Sequence, residues 1–324
     1  FHAPVPQQLV EALGVQAGTW PQVFGKDADE FFHAYHIARY CNEIAEAGKA
    51  VKALPMYVNV ALRNPFTPGL PGQYASGGGT DNVLHIWKAA AHAIDLIAPD
   101  IYFRDYKTVD KVLELYARPD NALFVAEIGN DQPYARYLYP TLGRGGIGFS
   151  PFGMDDTGYS NYPLGAKHYT DEVINEFAQH YRLVAPMMRE WAQWMYEGRV
   201  WGVAEPLDTL TEGQHIWNAE ATPLEKEKHE KERAAALTQT LDLGLWNAEV
   251  TYGRPMFWIA PPVGNENAEG GALIAKLADD EFLVTAHQAR VEFKPSSELA
   301  DKNYMIVRVE QGYFEKGKWV FERV

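Results

Sequence analysis

Up to about residue 190, helical and strand-like hydrophobic spacings alternate along the chain. Residues 6–13 and 27–51 carry helical spacing, the second stretch closing near Gly48. Residues 54–62, Leu-Pro-Met-Tyr-Val-Asn-Val-Ala-Leu, are rich in β-branched side chains and predict a strand. A Pro/Gly-rich loop follows over 64–80. Val83, Ile86, Trp87, Ala90, Ala91 and Ile94 then fall on one helical stripe. Residues 96–103, 123–127 and 146–150 predict three more strands, separated by helices over 109–117 and about 134–142. Thr170 is a good N-cap, Asp171 and Glu172 suit the helix dipole, and Pro186 should split this long helix before Gly198.

Short apolar strands separated by helices predict a parallel sheet covered on both faces. Strand and helix repeat four times here, which is half of a (β/α)8 TIM barrel. Half a barrel leaves two open edges, so the expectation is that the other strands precede Phe1. A smaller open α/β sheet is the alternative. The start, Phe1-His-Ala-Pro, reads as an internal point of a longer chain.

From about residue 200 the spacing changes. Thr222-Pro-Leu-Glu225 is a capping box that opens a helix of mixed charge over 225–233. Residues 244–252, 256–260, 281–287, 289–293, 304–309 and 319–324 then read as strands, and Lys316-Gly317 is a hairpin turn. The predicted organisation is a TIM-barrel half over 1–198 and a β-rich, β-sandwich-like domain over 199–324.

Composition narrows the partners. A net charge of −14 over 324 residues argues against nucleic acid and against anionic membrane surfaces. It leaves an uncharged substrate such as a sugar open. The 18 Tyr and 9 Trp can stack on sugar faces, although most belong in a core of this size. Cys41 is the only cysteine, which excludes an intrachain disulfide, and its helical setting predicts a buried small hydrophobe. No run is long and apolar enough for a membrane span. His33 and His36 lack a third metal ligand at matching spacing. Gly77-Gly-Gly79 lacks the Lys-Ser/Thr of a phosphate loop, and no Gly-x-Ser-x-Gly elbow occurs.

Glu127 is the chief candidate for chemistry. It closes the apolar run Leu123 to Ala126 and precedes Gly129 and the polar pair Asn130-Asp131. Barrels present catalytic groups at such strand ends. Glycoside hydrolysis needs two carboxylates, and only this one is well placed. A strand-end glutamate in a surface ion pair fits the same pattern.

Three motifs in order, Pro55-Met-Tyr-Val-Asn59, Asp95-Leu-Ile-Ala-Pro-Asp-Ile-Tyr102 and Phe124-Val-Ala-Glu-Ile-Gly129, resemble the fifth, sixth and seventh barrel strands of glycoside hydrolase family 35. The likeness is closest to its bacterial β-galactosidase branch. It covers roughly residues 1–190, and the remainder resembles the β-rich domain that follows the barrel there. The resemblance implies a retaining β-galactosidase that needs no cofactor, with Glu127 as nucleophile, Tyr102 hydrogen-bonded to it, and Asn59 facing the sugar. A β-galactoside or related oligosaccharide is the implied partner. A periplasmic or secreted location and a homo-oligomer are compatible with it.

The family's acid/base lies in an Asn-Glu pair after the fourth strand, which would fall before Phe1. Asn42-Glu43, in a helix, and Asn265-Glu266, in a Gly-rich turn, are expected to be solvent-facing pairs without that role. After the last barrel-like strand, Phe152 is positioned to wall the sugar site. Asp155-Asp156 fits a hydroxyl or Ca²⁺ contact less well than a polar turn. Other barrel glycosidases, acting on β-glucan, xylan or arabinoside, and a non-catalytic carbohydrate-binding fragment are the competing readings.

Overall fold

The computed structural model describes residues 1–155, 157, 160, 162–206, 224, 235–256, 259–263, 265 and 267–323. The chain divides into two compact units. Phe1–Phe103, Asp110–Ile128 and Gly146–Ser150 form the first, and Arg104–Val109, Gly129–Gly145 and Pro151–Val324 the second.

The first unit starts with helices α1 (Gln7–Leu13), α2 (Trp20–Phe24) and α3 (Ala28–Val51). Strand β1 (Tyr57–Ala61), helix α4 (Leu84–Ala90), strand β2 (Leu96–Ile101), most of helix α5 (Tyr106–Tyr116) and strand β3 (Phe124–Ile128) follow. Helices α6 (Gln132–Ala135) and α7 (Leu138–Gly143), of the second unit, precede strand β4 (Gly148–Pro151).

The sheet order is β1-β2-β3-β4, the same as the chain order. β1 and β2 pair in parallel from Tyr57 opposite Leu96 to Ala61 opposite Asp100, and β2 pairs in parallel with β3, with Asp100 opposite Glu127. Successive side chains point to opposite faces, and apolar residues fill both. Val60, Ile97, Ile101 and Ile128 are buried on one face, Ala98 and Val125 on the other. This is the two-sided burial expected of parallel strands.

Local hydrogen bonds fix the strand positions. Asn121 Oδ1 accepts from Ile97 N (2.9 Å), while its Nδ2 donates to Ile97 O (3.0 Å) and Tyr116 O (3.1 Å), so the turn into β3 is pinned to β2. Asp95 Oδ2 accepts from Lys49 Nζ (2.6 Å) and Met56 N (2.7 Å), tying α3 to the approach to β1. The predicted Gly-rich loop packs closely: a Cβ on Gly79 would lie 2.6 Å from Ile97 Cγ2, and Gly79 O accepts the Tyr116 hydroxyl.

Several helix boundaries differ from the expectation. The stripe from Val83 to Ile94 is buried throughout, but α4 ends at Ala90 and a turn carries the rest. Helix α5 starts at Tyr106 because Asp105 Oδ1 accepts from Thr108 N (2.9 Å). The single helix expected near 134–142 is two short ones, α6 and α7. α3 runs through Gly48 to Val51. The Asn42-Glu43 expectation needs correcting: Asn42 is fully buried, donating to Glu46 (2.7 Å) and accepting from Ala93 N (2.8 Å). Only Glu43 faces solvent.

The second unit continues with helices α8 (Asp171–Val184) and α9 (Met188–Tyr196), with a single 3-10 turn at Ala185–Met187 where Pro186 removes a backbone donor. Thr170 caps α8 by accepting from Val173 N (3.4 Å). Strands β5 (Val200–Ala204), β6 (Thr238–Asp242), β7 (Trp246–Tyr252), β8 (Arg254–Met256) and β9 (Ile259–Val263) follow. Then come β10 (Gly271–Ala278), β11 (Glu281–His287), β12 (Ala289–Pro295), β13 (Gln311–Glu315) and β14 (Lys318–Arg323).

Antiparallel pairing builds two three-stranded sheets, β11-β10-β5 and β12-β7-β6, and the hairpins β13-β14 and β8-β9. Val203 and Ala272 of the first sheet and Val250 and Tyr252 of the second share one apolar cluster with Leu237. Phe282 stacks on Phe293 at 4.8 Å. α7 meets β5 so closely that a Cβ on Gly143 would lie 2.0 Å from Gly202 N. The β13-β14 turn places Lys316 (φ 51°) and Gly317 (φ 78°) in the left-handed region, as its hairpin sequence predicts.

Residues 304–309 form no strand. Met305, Ile306, Val307 and Val309 are exposed, so the segment lacks the half-buried pleated surface that gives β-branched residues their strand preference. The strand expected at 256–260 divides between β8, ending at Met256, and β9, starting at Ile259. The capping box and the charged helix expected over 222–233 lie outside the described residues apart from Leu224, which is helical.

Candidate active site

Parallel pairing brings polar side chains from the ends of β1, β2 and β3 to one face of the sheet in the first unit. Asn59 sits on β1, Asp100 near the end of β2, Tyr102 just after it, and Glu127 on β3. Asn59 Nδ2 donates to Glu127 Oε1 (2.9 Å) and to Asp100 Oδ1 (3.0 Å). The Tyr102 hydroxyl donates to Glu127 Oε2 (2.9 Å). Each oxygen of Glu127 thus accepts from a neutral side chain. A carboxylate has about four lone-pair sites, so two such bonds orient it and leave capacity to accept further contacts.

The four residues meet because strand periodicity and register agree. Asp100 is directly opposite Glu127, and Asn59 is opposite Ala98, two residues before Asp100 on the same face. Their environment is half-buried at Asp100, Tyr102 and Glu127 and open at Asn59. Burial first, and then the neighbouring Glu127 charge, push the Asp100 carboxyl up to about 6, against the opposing effect of the Asn59 hydrogen bond. The other aspartate of the same motif behaves oppositely: Asp95 is held below the usual carboxylate range, chiefly by Lys49. Asp95 therefore anchors the fold, whereas Asp100 belongs to the site.

Three of the four residues expected to form the site, Asn59, Tyr102 and Glu127, are brought together in this way. Phe152 follows β4 in a turn of the second unit and is 37% exposed. Asp155 of the same loop accepts from Thr157 N (2.8 Å), making a local turn, and Asp156 lies outside the described residues. Asp100 is the member that sequence reasoning missed. Its signal was present: an acid two residues before Tyr102 shares that residue's strand face.

Asp100 and Glu127 are joined through a shared Asn59 donor. A retaining carboxyl pair stands about 5–5.5 Å apart with the anomeric centre between. Here the Asn59 Nδ2 atom hydrogen-bonds both carboxylates and bridges them. Asn42 is locked inside α3, and Asn265 serves Glu205 in the second unit, with its Nδ2 donating to the carboxylate (2.7 Å); Glu266 lies outside the described residues. Among the described residues no group of three or more His, Cys, Asp or Glu could hold a metal ion, and no helix is long and apolar enough to cross a membrane.

No curated protein matches the chain. Residues 177–324 match the model of a family described as a domain of unknown function (DUF5597), which begins within α8 and takes in every strand from β5 onward.

Proposed function

We propose that this chain carries the nucleophile half of a retaining glycoside hydrolase site, most specifically that of a β-galactosidase. The observation that carries the reading is the double tether on Glu127, from Asn59 on one neighbouring strand and Tyr102 beyond another. The resemblance of the three strand motifs to glycoside hydrolase family 35 supplies the substrate class. A sheet whose spatial order equals its chain order supports a barrel arc, because a doubly wound sheet reverses at a switch point. The apolar cluster shared by the two antiparallel sheets supports a β-sandwich-like accessory domain.

In the first step a Glu127 oxygen bonds to the anomeric carbon while the bond to the leaving oxygen breaks. That oxygen takes the electron pair and a proton from a general acid. Glu127 becomes a neutral ester, which water activated by the same residue then hydrolyses. The general acid is a second carboxylic acid, which this reading requires and does not assign. Tyr102 and Asn59 hold the nucleophile aimed.

The test is Glu127→Gln in the full-length protein, assayed on a panel of nitrophenyl glycosides. Loss of turnover by roughly 10⁴-fold or more on the β-galactoside supports the reading. Retained hydrolysis sinks it. Wild-type preference for a glucoside, xyloside or arabinoside moves the substrate to the other barrel glycosidases, and galactose binding without turnover by the wild type indicates a carbohydrate-binding protein.

A further inference from the structure

Asp100 has no part in the double-displacement chemistry above, yet it is the residue that Asn59 ties to the nucleophile. It lies directly opposite Glu127 in the β2–β3 register, and the Asn59 Nδ2 atom serves both carboxylates at 3.0 and 2.9 Å. We propose that Asp100 is a positioning residue for Glu127: it fixes the Asn59 amide that both carboxylates share, and its negative charge opposes that of Glu127 until bond formation removes the latter. This rests on the reading of Glu127 as the nucleophile.

The physical basis is the charge balance of the first step. Before attack, the two N–H groups of the Asn59 amide serve two like-charged carboxylates. When the Glu127 oxygen bonds to the anomeric carbon, its charge passes with the bonding pair to the leaving oxygen, which is protonated. The like-charge repulsion then disappears, and Asp100 keeps the Asn59 bond alone. An ionised Asp100 therefore favours the glycosyl-enzyme over the free nucleophile. Its charge also favours the positive character that develops on the sugar.

Two groups face Asp100 from neighbouring strands, and the Tyr116 hydroxyl of α5 lies within electrostatic range of it. Glu127 faces it from β3 and Asn59 from β1. From α5, the Tyr116 hydroxyl, donating to Gly79 O at 3.0 Å, feels the charges of Asp81, Arg63 and Asp100. Arg63 is itself held by Asp81 through two bonds, 2.7 and 2.9 Å. Its charge is thus largely matched, and the unmatched partner of Asp100 is Glu127. Burial and Glu127 raise the Asp100 carboxyl to about 6, while the Asn59 bond favours its ionised form.

The experiment is the pH dependence of kcat/KM for nitrophenyl β-galactoside in full-length wild type, Asp100→Asn and Asn59→Ala, with thermal melting as a check on folding. The wild-type acidic limb is expected near pH 6. Asp100→Asn should move it down by about one pH unit or more. The same change should lower kcat on the order of 10²-fold with little change in KM, because the role proposed for Asp100 is to position Glu127 and not to bind the sugar. Asn59→Ala should move the limb up, the opposite sign, and this arm decides the matter if Asp100→Asn folds poorly. Limbs that coincide in all three proteins overturn the proposal. Labelling with a 2-deoxy-2-fluoro-galactosyl fluoride and locating the adduct by mass separates the two ideas. An adduct on Glu127 with unmoved limbs defeats only the role of Asp100, whereas an adduct elsewhere defeats the nucleophile reading itself.

Discussion

The tripeptide Val-Ala-Glu occurs twice at the end of a strand, as Val125-Ala126-Glu127 in the first unit and Val203-Ala204-Glu205 in the second. The two glutamates have opposite surroundings. Glu205 is 1% exposed and its carboxylate accepts from Asn265 N (3.2 Å), Asn265 Nδ2 (2.7 Å) and Gly270 N (3.1 Å). Three N–H donors, two of them backbone, occupy it and tie the approach to β10 to the end of β5. Glu127 is only half-buried, accepts from two side chains, and has a like charge beside it in Asp100. A saturated, buried carboxylate holds structure. A tethered, accessible and electrostatically pressed one can do chemistry.

Reciprocal substitutions are the strongest way to break this contrast. Glu127→Gln should abolish turnover while leaving the melting temperature nearly unchanged. Glu205→Ala should do the reverse, costing about 2 kcal/mol in urea denaturation by removing the acceptor of three N–H donors, of which Gly270 N is buried, with the residual folded protein still able to form the first-unit site. If both variants lose stability alike, the distinction fails.

Tyr102→Phe probes the tether more gently. It removes one neutral donor from Glu127, so kcat should fall about 10- to 100-fold, with stability lowered by about 1 kcal/mol. A rate equal to wild type would mean that the tyrosine bond does not aim the nucleophile.

Asp100 sharpens the contrast through pH. Its folded carboxyl is raised from 3.8 to about 6, so between those values the native state binds more protons than the unfolded chain. Stability therefore falls as pH rises through that window, and the penalty is fully present at neutral pH. Asp100→Asn should raise the melting temperature at pH 7, with the gain fading toward pH 3.5. The opposite trend would show that Asp100 is stabilised by its charge. The smallest effect is expected at the α8 cap, where Thr170→Ala should cost about 1 kcal/mol in thermal or chemical denaturation and leave activity untouched.

Much of this was legible from residues alone. Period and turn chemistry located the strands that became β1 to β3, the break at Pro186 and the hairpin at Lys316-Gly317. These are local properties, set by which side chains alternate and which backbone angles a residue tolerates. β10 escaped notice because Gly271 to Ala275 is buried without alternation, and its Ala and Gly content carries little strand preference. Residues 304–309 erred in the other direction, having strand composition but no strand pairing among the described residues. Asn42 looked like a surface pair and became a buried connector from α3 to Ala93 N.

The sequence by itself determined that a carboxylate ends an apolar strand, with a tyrosine and an asparagine at the ends of two others. It singled out Glu127 by the strand motifs around it and did not weigh Glu205, which closes a second Val-Ala-Glu. Only tertiary structure separates the surroundings of the two. Register between distant strands set Asp100 opposite Glu127 and brought Asn59 within reach of both, while antiparallel pairing of β5 with β10 surrounded Glu205 with backbone donors. Hydrogen-bond partners and the loss of water are non-local quantities, and they fix whether an acid serves structure or chemistry.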